Sequence, residues 1–517
     1  MSRIAQVLLP LPLPEAFDYA EPAELTLSVG DQVAAPLGSR LVRGVVSALR
    51  EAAGGNRALK PVAARLDDPP LPPNTLEFIQ WAARYSVDAP GQPLAIALRG
   101  LRAPAAPPPP RRFIASGRAS TRPTPARVRA LAAAQRPNTR AGLARAAGVS
   151  ASVVKTLIDD GALIPVPLES ADHSPGINLP NRAARLNPSQ SAAAGAIGVA
   201  VQTGNFETLL LDGVTGSGKT EVYLEAAATA LAGDDRGQIL ILLPEIAITQ
   251  AVIDRVERRF GAAPAQWHSA LSPPRRRRTW EAVADGSARI VVGARSALFL
   301  PFARLALIVV DEEHDSSYKQ EEGFIYQARD FAVARAKIEA CPVILVSATP
   351  SLETLWNAQT GRYRWLRLAD RHGDASLPSI DLLDLREHAP AVGRWLSPPL
   401  TQAVAETLAR GEQALLFLNR RGYAPLVLCR ACGERLKAPD SDSWLVEHRY
   451  SGRLVCHLTG FSIPKPALCP HCHAPRSLVS VGPGVERVAE EARELFPQAR
   501  LAIFSSDTVA DAAAARA

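Results

Sequence analysis

The chain has the composition of a globular protein with several domains. It has 517 residues, of which 47% are hydrophobic and 21% are charged, and its formal net charge is +7 at pH 7. No run of eighteen or more apolar residues occurs, and the Pro-broken amino terminus lacks the cleavage site of a signal peptide. These features predict a cytoplasmic protein of three or four domains without a membrane span. The positive charge suits a polyanionic partner, although many soluble enzymes carry a similar excess.

Short β-type runs predict a β-rich domain over residues 1–103. The runs lie at residues 4–9, 32–35 and 44–47, before a helical pattern around residues 76–85. Five of the seven residues at 104–110 are Pro. This composition predicts a linker over residues 104–123.

A smaller domain is predicted over residues 124–168. Three short helical patterns with an extended tail, and with Gly148 between the last two, are typical of a winged helix. Ala-rich helical hairpins that make no DNA contacts share this pattern.

The region at residues 183–370 alternates β-rich runs with helical patterns. The runs lie at residues 208–211, 239–243, 290–292, 305–310 and 343–346. This alternation predicts an α/β fold with a parallel, doubly wound sheet.

A phosphate-binding loop, GVTGSGKT, directly follows the first of these runs and directly precedes a helical pattern. Its residues are Gly213, Val214, Thr215, Gly216, Ser217, Gly218, Lys219 and Thr220. In such a loop the backbone N–H groups surround the phosphates, the Lys reaches the β and γ oxygens, and the Thr hydroxyl holds Mg²⁺. The sequence therefore predicts a site for ATP and Mg²⁺.

The strand ALIVVDEEH supplies the acidic half of the same site. It delivers Asp311 and Glu312 at its carboxyl end, where α/β sheets place ligands. We expect Asp311 to hold Mg²⁺ and Glu312 to activate the attacking water. Ser347, Ala348 and Thr349 follow the next strand, and a simple strand-ending turn would use the same residue types.

Two CxxC motifs predict a metal site in an insertion at residues 429–476. Cys429 and Cys432 are separated by thirty-six residues from Cys469 and Cys472. Four thiolates in two such turns form the tetrahedral shell of a structural Zn²⁺. Redox-active cysteines are the alternative, but neither motif opens a βαβ unit.

Six motifs in order resemble the primosomal protein N′ family, the replication-restart helicases of superfamily 2. They are GVTGSGKTEVYLEA, LPEIAITQ, VVGARSALFLPF, VVDEEHDSSYKQEEGFIYQARDFAVARAK, SATPSLET and LLFLNRRGYAP. The resemblance runs from FDY at residue 17 to SSDT at residue 508. It implies a RecA-like helicase lobe at residues 183–370 and a truncated second lobe, with the zinc insertion, at residues 371–517.

The resemblance also implies roles for particular residues. Gln190 lies where such helicases place a Gln that reads adenine, and a surface helix residue is the alternative. An aromatic-rich loop that couples single-stranded DNA to ATP hydrolysis would comprise Tyr318, Lys319, Phe324 and Tyr326, although the sequence departs from the usual pattern at Phe324 and Ile325.

The family's amino-terminal domain captures the 3′ end of a nascent strand at a stalled fork. By this resemblance Phe17 and Asp18 would meet the terminal nucleotide, and Gly38 and Lys60 would complete the pocket. A turn role for Asp18 is the alternative.

In the family the cysteine insertion carries eight cysteines for two zinc ions. Here the inner positions are Ala438, Ser441, Cys456 and Thr459. His448 and His457 lie nearby but do not rebuild a set of four ligands. We therefore predict one zinc ion rather than two.

The resemblance implies an ATP-dependent 3′–5′ DNA helicase that recognises stalled forks and initiates primosome assembly. Its implied partners are branched and single-stranded DNA, other primosome proteins, the machinery that loads the replicative helicase, and single-stranded DNA-binding protein. The motif QxxGRxGR, which supplies arginines from the second lobe, does not occur in the sequence. The alternative is therefore a fork-binding module that recruits partners with little or no unwinding.

Overall fold

The computed structural model describes most of the chain. The described residues are 3–51, 59–104, 112–117, 123–135, 138–165, 185–244, 250–369, 371, 378–391, 394–418, 426–448, 452–456, 458–481 and 484–504. Parts of the linker, of LPEIAITQ and of LLFLNRRGYAP, together with His457 and SSDT, lie outside them. The chain divides into two compact units, Met1–Ser376 and Leu377–Ala517. No helix within the described ranges is long and apolar enough to cross a bilayer.

The amino-terminal domain is a five-stranded antiparallel sheet followed by two helices. Its elements are β1 (Arg3–Leu8), β2 (Phe17–Ala20), β3 (Gln32–Leu37), β4 (Arg40–Glu51), β5 (Ala64–Arg65), α1 (Pro73–Ser86) and α2 (Gly91–Ala97). The strand order is β2-β1-β4-β3-β5. Alternate residues of β1, Ala5 and Val7, are fully buried, as expected for a strand with one face on the core. The predicted β-runs and the predicted helix are all present.

The second domain is a three-helix unit with a small three-stranded sheet, and its assignment as a winged helix stays a prediction. Its elements are β6 (Arg112–Ala115), α3 (Pro125–Ala133), β7 (Asn138–Thr139), α4 (Arg140–Ala147), α5 (Ala151–Asp159) and β8 (Leu163–Pro165). Gly148 ends α4 with a left-handed φ of 60°. The linker prediction was wrong for β6, because this strand pairs with both β7 and β8 and so belongs to the domain.

The third domain is a parallel α/β sheet of seven strands. Its elements are α6 (Pro188–Thr203), β9 (Thr208–Gly213), α7 (Lys219–Gly233), β10 (Gln238–Leu242), α8 (Gln250–Phe260), β11 (Ala265–Trp267), α9 (Pro273–Ala284), β12 (Ile290–Gly293), β13 (Leu305–Asp311), β14 (Lys319–Gln320), β15 (Tyr326–Gln327), α10 (Ala328–Glu339), β16 (Val343–Ser347), α11 (Leu352–Gln359) and β17 (Arg364–Leu368). The sheet order is β11-β12-β10-β13-β16-β9-β17, and β14 pairs with β15 in a separate hairpin. All five residues of β10 are buried, which is typical of a strand covered by helices on both faces. The predicted α/β class is confirmed, and the sheet contains two strands, β11 and β17, that the sequence pattern did not indicate.

The second unit contains two helices and a cysteine-rich insertion of short antiparallel strands. Its elements are α12 (Pro398–Ala409), β18 (Leu426–Cys429), β19 (Val446–His448), β20 (Arg453–Val455), β21 (Ser462–Pro464), β22 (Leu478–Val481) and α13 (Val485–Leu495). The Glu491 carboxylate on α13 accepts hydrogen bonds from the backbone N–H groups of Trp395 and Leu396, ahead of α12. Among the described residues of this unit, strands pair only in antiparallel fashion.

Helix α1 joins the amino-terminal domain to the α/β domain. The Phe78 ring lies 5.2 Å from that of Phe299 and 6.0 Å from that of Phe331. The buried Arg335 guanidinium donates to Thr75 Oγ1 at 3.0 Å. Trp280 Nε1, also buried, donates to the Ala97 carbonyl at 2.7 Å. The two domains therefore share one core.

Replacing Phe78 with Ala should destabilise both domains together. Deleting a fully buried Phe costs about 3–5 kcal/mol in free energy of unfolding, and Phe78 is fully buried in the shared core. Urea unfolding should show this loss for both domains. The matched control is Glu77→Ala on the exposed side of the same helix, which should change stability by no more than about 0.5 kcal/mol. Equal stability of the two variants would contradict the shared core.

Candidate functional site

The phosphate-binding loop connects β9 to α7 as predicted. Gly216 and Gly218 have φ values of 80° and 78°, which favour glycine. A Cβ atom at Gly218 would lie 2.3 Å from the Gln190 Nε2 atom, so this position also has no room for a side chain.

The Lys219 ammonium lies over the mouth of this loop. It donates to the carbonyl oxygens of Gly213 at 2.7 Å and Val214 at 3.3 Å. Burial lowers the pKa of Lys219, while the charges of Glu312, Asp311 and Asp212 raise it. Carbonyl oxygens are weaker partners for an ammonium than phosphate oxygens, so a nucleotide can displace them.

Gln190 is buried beneath the loop rather than exposed on a helix surface. Its Oε1 atom accepts from the Asn187 N–H at 2.9 Å in a capping box that begins α6. Its Nε2 atom donates to the Ser217 carbonyl at 2.8 Å. Gln190 thus stabilises the loop through hydrogen bonds and lines a cavity beside it. Its predicted contact with adenine stays a prediction.

Asp311 is the last residue of β13 and is held by two donors. The Tyr223 hydroxyl donates to Oδ2 and the Glu312 N–H donates to Oδ1, each at 3.0 Å. Burial raises the pKa of Asp311 to about 6, and the charge of Glu312 contributes in the same direction. Such a carboxylate gains from a nearby cation, because a cation stabilises its charged form. Glu312 itself has a φ of 50°, an uncommon value for a non-glycine residue that turns the chain sharply at the strand end.

Most of the predicted ATP-site residues line one cavity of about 590 Å³. Its lining includes Thr215, Lys219, Thr220, Asp311, Glu312 and Ala348. The loop, the acidic strand end and the turn after β16 therefore face the same space.

Glu313, which the sequence-based prediction missed, connects three elements beneath this cavity. Its carboxylate is fully buried and accepts from Ser351 N at 2.7 Å and from Thr354 Oγ1 at 2.9 Å. The Arg329 guanidinium of α10 lies 3.3 Å from the same carboxylate. The only sequence signal was a third acid in DEEH, because its partners lie far away along the chain.

The aromatic loop does not expose the rings that the resemblance assigned to DNA. Tyr318, Phe324 and Tyr326 are 1%, 4% and 3% exposed, and the hydrophobic core includes all three. The Tyr318 hydroxyl donates to the Asp311 carbonyl at 2.6 Å. Base stacking on these rings is therefore inconsistent with their packing. Lys319 is exposed, so its contact with a DNA phosphate stays a prediction.

The residues assigned to the DNA-end pocket lie on or beside one part of the amino-terminal sheet. Phe17 and Asp18 are in β2, and Asp18 forms an ion pair with Arg50 of β4. Asp18 is thus a strand residue, not a turn residue. The Ala20 N–H donates to the carbonyl of the exposed Lys60 at 3.0 Å. Gly38 lies in the β3–β4 turn with a φ of 61°. Arg50 was missed because nothing in the local pattern pairs it with residue 18.

The four predicted zinc cysteines come together in the second unit. The sulfur atoms of Cys429, Cys432, Cys469 and Cys472 all lie within 4.8 Å of one another. The Cys429 to Cys472 and Cys432 to Cys469 distances are 3.6 and 3.9 Å. Sulfurs at about 2.3 Å from a tetrahedral zinc would be about 3.8 Å apart, so the four thiols fit a metal ion.

The inner positions also come together, but without a ligand set. Cys456 is buried, and Ser441 Oγ lies 3.7 Å from its sulfur. The Thr459 hydroxyl lowers the pKa of Cys456 to about 7. Ala438 provides no ligand, and His448 is not part of the cluster of metal-ligand atoms in the described residues.

The inner turns nevertheless keep the backbone geometry of the outer ones. In the outer turns the N–H groups of Cys429 and Cys469 donate to the carbonyls five residues later, at 2.8 and 3.0 Å. The N–H groups of Ala438 and Cys456 make the same bond, at 3.0 and 2.8 Å. The same turn conformation is therefore present in all four turns, whereas only the two outer turns together carry four thiols.

Comparisons with known proteins agree with this architecture. Residues 187–357 match the DEAD/DEAH box helicase family, and residues 6–99 match the 3′DNA-binding domain (3′BD) family. The replication restart protein PriA of Rickettsia felis is 32% identical over 98% of this chain and 67% of its own length. The Haemophilus influenzae protein of that name is 33% identical over 98% of this chain and 70% of its own, and the Bacillus subtilis protein is 39% identical over 71% and 46%. Among solved structures, RecG bound to a three-way DNA junction covers 47% of this chain and 29% of its own chain, at 16% identity and a TM-score of 0.33.

The fold and site define a DNA helicase lobe of the DEAD/DEAH type that is joined to a 3′-DNA-binding domain. Two of these relatives are 32% and 33% identical over 98% of the chain, so the similarity is not limited to the two matched domains. The chain belongs to the replication restart protein PriA family.

Replacing Lys219 with Ala should abolish the protection that Mg·ATP gives against proteolysis. The ammonium is the charged group of the loop itself, and Lys219 is the only lysine among the described residues that line the cavity. Limited proteolysis with and without Mg·ATP measures the effect. Lys337→Ala, an exposed lysine on α10, is the control and should be protected like the parent. Equal protection of Lys219→Ala would show that the site is elsewhere.

The cysteine geometry predicts one zinc ion per chain. Elemental analysis after mild dialysis should give a value near one for the parent and near zero for Cys432→Ser, because three thiols do not complete the shell. Cys456→Ser should keep one zinc ion, since this thiol lies outside the outer cluster. A value near two for the parent would mean that other groups complete a second site.

Proposed function

We propose that the chain is an ATP-dependent 3′–5′ DNA translocase that acts at stalled or abandoned replication forks. The observation that carries the proposal is the cavity in which Lys219, Asp311 and Glu312 converge, in a lobe that shares its core with a 3′-DNA-binding domain. The 3′ end of a DNA strand and a nucleotide would then be bound by two domains that share one hydrophobic core.

The residues of the cavity fit Mg·ATP. Lys219 would neutralise the β and γ phosphates, and backbone N–H groups of the loop would donate to phosphate oxygens. The Thr220 hydroxyl and the Asp311 carboxylate would hold Mg²⁺. Glu312, which follows Asp311 and also lines the cavity, would accept the proton of the attacking water.

Hydrolysis is coupled to the rest of the lobe through contacts directly below this site. The Tyr318 hydroxyl ties the aromatic loop to the Asp311 backbone. Glu313 ties the same segment to Ser351, just after β16. A change at the Asp311 and Glu312 turn would therefore move both the loop and the β16 turn.

The DNA-binding surface would include the β2 residues Phe17 and Asp18, which meet the 3′ terminus, and the exposed Lys319. Asp18 accepts from Arg50 through Oδ2 and from Gln6 Nε2 through Oδ1 at 3.4 Å. A carboxylate has about four lone-pair sites, so further sites would remain for a 3′-OH. The metal in the cysteine cluster would be zinc.

The protein partners of the chain would be other primosome proteins, the loader of the replicative helicase and single-stranded DNA-binding protein.

Strand displacement tests the proposal directly. The parent chain is given ATP and partial duplexes with either a 3′ or a 5′ single-stranded tail. We expect ATP hydrolysis that depends on single-stranded DNA, and displacement only from the 3′-tailed substrate. Glu312→Gln should bind ATP normally but hydrolyse it at least about 100-fold more slowly, because it removes the general base.

Two outcomes would contradict the proposal in different ways. Displacement only from the 5′-tailed substrate would reverse the direction. Tight fork binding without ATP-dependent displacement would favour the binding module that recruits partners. Glu77→Gln, an exposed acid on α1 outside the cavity, is the matched control and should behave like the parent.

A further inference from the structure

A second, smaller cavity lies between the amino-terminal domain and the helicase lobe. Its volume is about 120 Å³. Its polar lining consists of Arg99, Arg276, Arg295, His268, Gln320 and Tyr326, together with Ser269, Ser296 and the Trp267 indole. Among the described residues that line it, none is acidic. We call it the Arg99 pocket.

The guanidinium of Arg99 is available to a ligand. Arg99 is exposed, and its side chain makes no hydrogen bond or ion pair with any described residue. Arg295, in contrast, is anchored, because its Nη1 atom donates to the carbonyls of Ser317 and Lys319, both at 2.8 Å. A guanidinium has five N–H donors, so this anchoring leaves others for the pocket.

Tyr326 supplies the second indication of a ligand. Only 3% of Tyr326 is exposed, and the centre of its ring lies 5.3 Å from that of Phe299. Tyr326 lines the pocket, and its hydroxyl has no hydrogen-bond partner among the described residues. Burial raises the pKa of Tyr326, and the nearby charges of Arg295 and Arg99 lower it. A neutral phenol donor in a pocket that two guanidinium groups also line is suited to an anion.

The pocket is also built into the fold. Arg99 follows α2, whose last carbonyl, that of Ala97, accepts from the buried Trp280 indole. Gly100 has a φ of 110°, and a Cβ atom there would lie 2.9 Å from the Arg276 side chain. The chain therefore approaches the lobe as closely as a glycine allows, and this approach brings Arg99 to the pocket that Arg295 also lines.

We propose that the Arg99 pocket binds one phosphodiester group of single-stranded DNA, with Arg99, Arg295 and Tyr326 donating to its oxygens. The size of the cavity suits a single phosphate group, and its cationic lining without an acid suits the charge. The aromatic loop thus contributes a hydroxyl to a phosphate rather than a ring face to a base. This inference rests on the proposed DNA-binding function and adds a contact site that includes the amino-terminal domain.

The test uses the full chain and a fluorescent single-stranded oligonucleotide, with affinity measured at several salt concentrations. Each phosphate contact with a cation contributes about 0.7 to the slope of log affinity against log salt for a single strand. Arg99→Gln should therefore lower the slope by about 0.7. Tyr326→Phe should weaken binding roughly tenfold with an unchanged slope, because it removes a hydrogen bond to a charged group but no charge. Arg295 is left intact because it also holds the loop.

Matched controls come from the neighbouring residues Arg84 and Tyr85, both exposed on α1 and outside the pocket. Arg84→Gln and Tyr85→Phe should give the parent's slope and affinity. If Arg99→Gln has the slope of Arg84→Gln, or Tyr326→Phe binds like Tyr85→Phe, the proposal is overturned. It is also overturned if inorganic phosphate raises the Tm of the parent but not of Arg99→Gln while the DNA slopes stay equal, since the pocket would then take free phosphate. A parent that binds no single-stranded DNA at any salt concentration would refute the proposed function itself.

Discussion

The buried carboxylate of Glu313 is the constraint on which the ATP site depends. A charge without solvent is tolerated only where hydrogen bonds and an opposite charge compensate for the loss of water. Here Ser351 N, Thr354 Oγ1 and the Arg329 guanidinium provide that compensation. Because these partners belong to the start of α11 and to α10, both helices must hold fixed positions relative to the end of β13. Asp311 and Glu312, immediately before Glu313, are placed by the same requirement.

Residues that are consecutive in the sequence were the ones that could be predicted. The loop at residues 213–220 needs only a strand before it and a helix after it, and both patterns are local. The paired CxxC turns are local in the same sense. The partners of Glu313 and the Tyr223 hydroxyl on Asp311 could not be predicted, because they depend on how distant elements pack. Strand β6 was missed since a Pro-rich stretch precedes it and its pairing partners lie more than twenty residues later.

The aromatic loop shows why residue type does not decide between two roles. Tyr and Phe stack on bases and also fill hydrophobic cores, and both roles favour the same side chains. The family resemblance supported the first role, whereas the packing of Tyr318 and Phe324 follows the second. The polar ends of these rings are informative. The hydroxyl of Tyr318 has a backbone partner at the ATP site, so the loop is tied to the site through a bond that a sequence pattern does not reveal.

The cysteine insertion separates the shape of a metal-binding turn from its metal ligands. The turns at Ala438 and Cys456 make the same backbone bond as those at Cys429 and Cys469. Around Cys456 a buried thiol and two hydroxyls form a small polar cluster instead of a coordination shell. Local hydrogen bonds and the surrounding apolar residues, Leu445 and Leu454 among them, are thus compatible with this turn geometry without a set of four ligands.

The core shared through α1 has a mechanical consequence. Phe78 and Trp280 make the amino-terminal sheet and the helicase lobe parts of one solid body, so the distance from Asp18 to Lys219 is set by packing and not by a tether. The distance between these two residues is therefore constant. In the proposed function, a 3′ terminus bound at Asp18 would stay at a constant distance from a nucleotide bound at Lys219. Any movement along DNA would then have to come from a part of the protein that moves relative to this body, with the bound terminus as the fixed point.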